Sequence, residues 1–136
     1  MSASSQDDLG KLVLRLTVGI LLLFHGISKI VHGVGGISGM VAAHGLPHFF
    51  GWAVYLGEVL APILMILGIY ARLGGLLAVI NMLVALALVH SAQLWHLAGN
   101  GGMQLETQYF YLFCGLAVAL LGAGRYSIGG SGGKWN

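Results

Sequence analysis

The chain has 136 residues, of which 57% are hydrophobic and 7% charged, with six Lys or Arg against four Asp or Glu and a formal net charge of +2; its mean hydropathy is +0.89. A soluble globular domain carries about 25% charged residues, so this composition excludes an ordinary aqueous fold and reads as a one-domain integral membrane protein. No basic stripe follows a phosphate backbone, which excludes a nucleic-acid partner.

The chain opens with "MSASSQDDLGKLVLRL". Its outline resembles a secretory leader, but Asp7, Asp8 and the lack of a small-residue cleavage site predict that the first helix is retained. A membrane helix needs about 20 mainly apolar residues, and such runs fall at 9–32, 49–70, 73–94 and 105–123. Between the first two lies "GVGGISGMVAAHGLPH", read as a glycine-rich outer loop closed by Pro47, a residue suited to a helix start. Only Ala71 and Arg72 separate the second run from the third, so these two spans are expected to be antiparallel neighbours. "HLAGNGGMQ" at 96–104 reads as a second glycine loop, and the tail "GGSGGKWN" as a loose segment. Cys114 has no partner for an intrachain disulfide and reads as a small apolar helix residue.

The predicted fold is therefore all-α: an integral membrane four-helix bundle with an even number of crossings. Lys11, Arg15, Arg72, Arg125 and Lys134 fall on one side and Lys29 alone on the other, so the positive-inside rule predicts that both termini are cytoplasmic. Trp52 and Trp95 then belong to the outer aromatic belt and Trp135 to the inner side. The inner-side arginines are expected to serve structure or lipid headgroups: Arg72 and Arg125 lie at helix ends beside anionic headgroups, and Arg15, about 8 Å in, is within snorkelling reach.

The remaining polar residues fall on faces. In the first span Lys11, Arg15, Val18, Leu22, His25, Lys29 and His32 are separated by steps of four and three, one helical stripe. In the second, Tyr55, Glu58, Pro62, Met65, Ile69 and Arg72 obey the same rule. Ionisable groups inside a membrane cost a few kcal/mol each and pair with one another or face a polar cavity. With the outer boundary near His32 and Phe49, Lys29 lies about 5 Å deep, His25 about 10 Å and Glu58 about 14 Å. Lys29 and Glu58 are predicted to pair, with His25 between them. The other spans add His90, Glu106, Gln108 and Tyr109 from the same outer half, and the expected ligand pocket comprises His25, Lys29, Tyr55, Glu58, His90, Glu106 and Tyr109. Against that stand simpler readings: Lys29 snorkelling to headgroups, Glu106 favoured by a helix N-terminus alone, and His32, His44, His48 and His96 as plain loop residues. Asn81 and His90, nine residues apart, lie about 180° around a helix and are expected not to face one central pocket together, so that one of them has a different neighbour. Pro62 is expected to bend the second helix below Glu58 and free a carbonyl. Glycines and alanines at Gly19, Gly26, Gly115, Ala119 and Gly122 permit close helix packing.

"LRLTVGILLLFHGISKI", "LGEVLAPILMILGIYARLGGLLAVINM" and "ETQYFYLFCGLAVALLGAGRYSI" together resemble the DoxX family of small four-helix bacterial membrane proteins. The likeness covers all four spans. Its landmarks are an arginine entering the first helix, a His-Gly-x-x-Lys exit, an intramembrane glutamate, and Gly-x-Gly-Arg-Tyr-Ser at the end. Gly129 stands where family members continue with an aspartate. The resemblance implies a cytoplasmic (inner) membrane protein linked to redox metabolism, with relatives tied to thiosulfate:quinone oxidoreductase and to quinone or thiol stress. It transfers positions such as Arg15, His25, Lys29, Glu58, Arg72 and Glu106 without chemical roles.

No cofactor motif is visible: Glu-x-x-His, the di-iron signature of helix bundles, is missing, and no metal site is expected. Three functions compete. A quinone-linked or redox-partner subunit would use His25, Lys29 and Glu58 as proton-exchanging groups around a quinone headgroup, with electrons supplied by a partner. An oligomeric carrier would use the same pocket for small aromatic or sulfur compounds. A scaffold or assembly subunit of a membrane redox complex would use the buried charges for folding alone.

Overall fold

The computed structural model describes residues 2–136 and is all-helical, with no strand among the described residues. Helix α1 spans Ala3–His32, entered through Ser2, whose hydroxyl accepts the amide of Ser5 at 3.3 Å. It begins six residues before the predicted span, and its 30 residues reach about 45 Å, longer than the roughly 30 Å hydrocarbon core. The segment predicted to be a plain outer loop contains a second helix, α2, at Gly35–Ala43. Its glycines disfavour a helix, but Ile37, Met40 and Val41 give it an apolar side to pack inward.

The second span is a composite. A 3₁₀ stretch at His48–Ala53, capped by Pro47, leads into a π turn at Leu56–Leu60 and then into helix α3 at Ala61–Leu67. Pro62 explains the wide turn. It has no N–H to give the Glu58 carbonyl, so an α-helical ladder would break there; the amide of Ala61 instead bonds five residues back, to Leu56. The predicted disturbance beside Pro62 thus takes the form of a π bulge, a device frequent at functional sites.

Helix α3 stops at Gly68, which adopts a left-handed conformation (φ 70°). The turn to α4 (Ala71–Leu88) is therefore residues 68–70, and Ala71 and Arg72 belong to the next helix rather than to the connector. Helix α4 ends six residues before the predicted 94. Its 18 residues already cover about 27 Å, close to the bilayer core, and the polar run His90–Ser91–Gln93 continues as a short 3₁₀ turn. Helix α5 occupies Glu106–Leu121. The first three spans are long and apolar enough to cross a membrane; α5 is a shorter apolar helix.

Helix α4 is central, packed on α3 and α5. A β-carbon on Gly75 would strike the Gly115 carbonyl and the Ala119 amide, so the small residues set the α4–α5 spacing. The buried core is thin: Leu22, Ala61, Met65, Ala71, Ala78 and Val118 are fully enclosed, while Phe24, Phe113 and Leu120 face outward. That distribution is the one a lipid-facing bundle requires.

Both termini lie at one end. The Arg125 amide donates to Asp8 at 3.2 Å, and the Arg125 guanidinium to Ser5 at 3.0 Å. The tail expected to be loose is docked there instead. The Asn136 side chain accepts the Ala71 amide at 3.0 Å and donates to the Gly130 carbonyl at 2.7 Å, while the Arg72 amide donates to the Trp135 carbonyl at 2.9 Å. Glycines allow this because the tail turns back sharply; Gly130 and Gly133 sit at φ 74° and 95°.

Of the two roles expected for Arg15, the structural one is found. Arg15 does not snorkel; it is 1% exposed. Its guanidinium donates to the carbonyls of Ala123 (3.0 Å), Met65 (2.6 Å), Ile66 (3.2 Å) and Tyr126 (2.6 Å). These are carbonyls left free at the end of α3 and in the segment after α5, and the planar fork reaches both. Arg72 does likewise for the end of α5, donating to Ala119 at 3.0 Å and Leu120 at 2.5 Å. Both arginines thus serve structure, the first of the two expected roles, through backbone carbonyls.

Candidate functional site

At the opposite end from the termini, α1, the π turn and α4 converge on Glu58. Its carboxylate accepts from Lys29 Nζ at 2.5 Å on one oxygen and from Asn81 Nδ2 at 3.2 Å on the other. Two glycines bring the elements this close. A β-carbon on Gly26 would fall on the Glu58 carbonyl, and one on Gly57 would fall on Asn81. The Glu58 side chain is 9% exposed and that of Lys29 24%, so the acid is enclosed and the ammonium opens on one side. That side is a cavity of about 460 Å³.

Helix α1 contributes Leu22, His25 and Lys29 to its wall, α4 contributes Ile80, Asn81 and Ala85, and α5 contributes Thr107, Gln108 and Tyr111. The α2 helix forms a roof, with Ile37, Met40 and Val41 on the cavity. The roof rests on the 3₁₀ stretch, where Gly51 lies directly against Ser38. Most of the lining is apolar, and the charges on it, Lys29 and Glu58, cancel.

Of the residues expected in the pocket, His25, Lys29, Glu58 and His90 line this cavity and Tyr55, Glu106 and Tyr109 do not. Tyr55 instead donates to the Lys29 backbone carbonyl at 3.0 Å and lies edge-on to Trp52 at 5.7 Å, holding the end of α1. Glu106 is exposed in the first turn of α5, where the backbone dipole favours a carboxylate. Tyr109 donates to the Leu94 carbonyl at 2.6 Å and anchors the loop before α5.

Asn81 and His90 share the cavity after all. The 180° separation holds only along one helix, and α4 ends at Leu88. His90 sits beyond it, with Nδ1 3.1 Å from Gln93 Oε1. Asn81 was visible in the sequence as a lone amide in an apolar span, a group that must find a partner in lipid, and Glu58 is that partner. Tyr111, absent from the expected set, meets His25 edge to face with ring centroids 5.7 Å apart. Its only sequence signal is its place three residues after Gln108 on the same helical face.

Chemically, the site offers a carboxylate held by two donors and an ammonium with two N–H groups left over. Beside them lie an imidazole and a phenol. A family model described as DoxX matches residues 10–91. A Bacillus subtilis (strain 168) protein named "Putative oxidoreductase CatD" is 28% identical over 116 residues, covering 85% of this chain and 81% of its own length. No solved structure matches.

Proposed function

The chain belongs to the DoxX family, and from that premise we propose that this multi-pass membrane protein acts in the bacterial cytoplasmic membrane as a quinone-linked redox subunit. The quinone headgroup occupies the roofed cavity. The observation that carries this reading is the cavity itself. Its volume of about 460 Å³ falls within the roughly 300–1,000 Å³ of small-molecule sites, and its apolar wall with a few convergent polar groups is what such sites share. The mutual neutralisation of Lys29 and Glu58 favours an uncharged ligand over an anion. The name of the B. subtilis relative, an oxidoreductase, supports redox chemistry in general. Electrons come from a partner protein or from the substrate, and the basic residues Lys11, Arg72, Arg125 and Lys134 support a cytoplasmic side for the end bearing both termini. The cavity then lies in the outer half of the bilayer.

A scaffold role draws support from one feature: both oxygens of Glu58 are satisfied within the chain, so the network holds three helices together with no ligand. The two readings separate in one experiment. Protein purified from native membranes is extracted with solvent and analysed by mass spectrometry, beside an Ala85→Phe variant that fills the cavity. Quinone near one per chain in the wild type, and its loss from an equally stable Ala85→Phe protein, supports the redox reading. Equal trace amounts in both would overturn it in favour of the scaffold.

A further inference from the structure

The cavity has two polar poles, and they differ in how far the protein pairs them. At the first, Glu58 takes a donor on each oxygen, from Lys29 and Asn81. Lysine can only donate and an ionised carboxylate can only accept, so this pole is fixed in polarity, with its acid already paired on both oxygens.

At the second, Tyr111 on α5 and His25 on α1 face each other across the cavity wall. Among the described residues the Tyr111 hydroxyl and the His25 ring have no hydrogen-bond partner. No enclosed side-chain polar atom in the described residues is left unpaired, so the Tyr111 hydroxyl is not enclosed, and Tyr111 is part of the cavity wall. Tyr111 is half-buried and His25 exposed, so both polar groups stay accessible to an entering ligand, and both can either donate or accept.

We propose that His25 and Tyr111 are the ligand's hydrogen-bonding handle, and that Lys29–Glu58–Asn81 is a strut that shapes the cavity without gripping the ligand. This rests on the preceding reading that the cavity holds a quinone-type ring. Two groups that each donate or accept suit a ligand whose oxygen is a carbonyl acceptor when oxidised and a hydroxyl donor when reduced. The pair holds either form by turning the phenol O–H and exchanging the imidazole tautomer. The strut, fixed in polarity, has no such freedom.

The test is isothermal titration of the purified full chain with decyl-1,4-benzoquinone, with its reduced hydroquinone, and with decylbenzene, which has the same shape at its tail but no oxygen. Tyr111→Phe keeps the ring and removes the hydroxyl. Losing one hydrogen bond is expected to weaken the quinone and the hydroquinone about 5- to 10-fold each, with decylbenzene unchanged. His25→Phe is expected to do the same and serves as the readout if Tyr111→Phe does not fold. Unchanged quinone affinity in both variants, or an equal loss for decylbenzene, would overturn the handle while the cavity reading stands. Failure of the wild type to bind any of the three would remove the cavity reading and the handle with it.

Discussion

Replacing Arg15 by Met keeps most of the side-chain volume and removes every donor. In the native fold its three guanidinium nitrogens supply four carbonyls, two at the end of α3 and two in the segment after α5, the shorter pair at 2.6 Å. A buried acceptor deprived of its partner costs about 1–3 kcal/mol. Met65 and Ile66 are fixed in α3 and cannot turn to water, whereas Ala123 and Tyr126 lie in a segment that can peel away. Charging the two fixed carbonyls in full and the mobile pair partly gives a loss of about 3–5 kcal/mol. That is roughly 150- to 5,000-fold in the folding equilibrium. Arg15→Lys should recover only part of it, since one ammonium is a point charge that cannot span both segments. The assay is equilibrium unfolding in detergent micelles, with limited proteolysis reporting residues 123–136. The expected result is a large destabilisation together with early cleavage of the tail. An Arg15→Met protein as stable as the wild type, with an equally protected tail, would refute the view of Arg15 as the internal tie.

Glu58→Gln alone leaves Lys29 without its acid and should cost about 2–4 kcal/mol, below the figure of roughly 3–5 kcal/mol for fully buried pairs because the Lys29 side chain keeps 24% exposure. Lys29→Met combined with Glu58→Gln should return most of that stability, and a double mutant no better than the worse single would deny the coupling. Gly26→Ala places a methyl on the Glu58 carbonyl and should cost about 1–3 kcal/mol by overpacking; a neutral effect in the same unfolding assay would contradict the close approach of α1 to the π turn. Reporter fusions at Asn136 and within residues 44–47 should show the first cytoplasmic and the second external, and the reverse pattern would overturn the orientation.

Much of this protein follows from local sequence. Hydropathy alone marks the helical spans, because in lipid a backbone must satisfy its hydrogen bonds within a helix or a closed barrel. The stripe that carries His25 and Lys29 on α1 and the one that carries Glu58 on the next span follow from helical periodicity, and a buried acid needs a donor; the 2.5 Å contact between Lys29 and Glu58 answers that need. The rest turns on contacts between segments far apart in the chain. Arg15 is close enough to the membrane edge to snorkel, and nothing near it in sequence says that carbonyls 50 and 108 residues away will surround it. The glycine-rich stretch after α1 has a local bias against helix that is outweighed by burying Ile37, Met40 and Val41 over a cavity. The tail looks loose in isolation and is held by Asn136 bonding to the start of α4. Membership of the site was decided in the same way: the end of α4 at Leu88 brought His90 and Asn81 to one cavity, and the approach of α5 to α1 set Tyr111 beside His25. Periodicity says which way a side chain points from its own helix, but what it meets depends on where the neighbouring helices sit, and that is set by glycine contacts, freed carbonyls and the proline-driven π turn acting together.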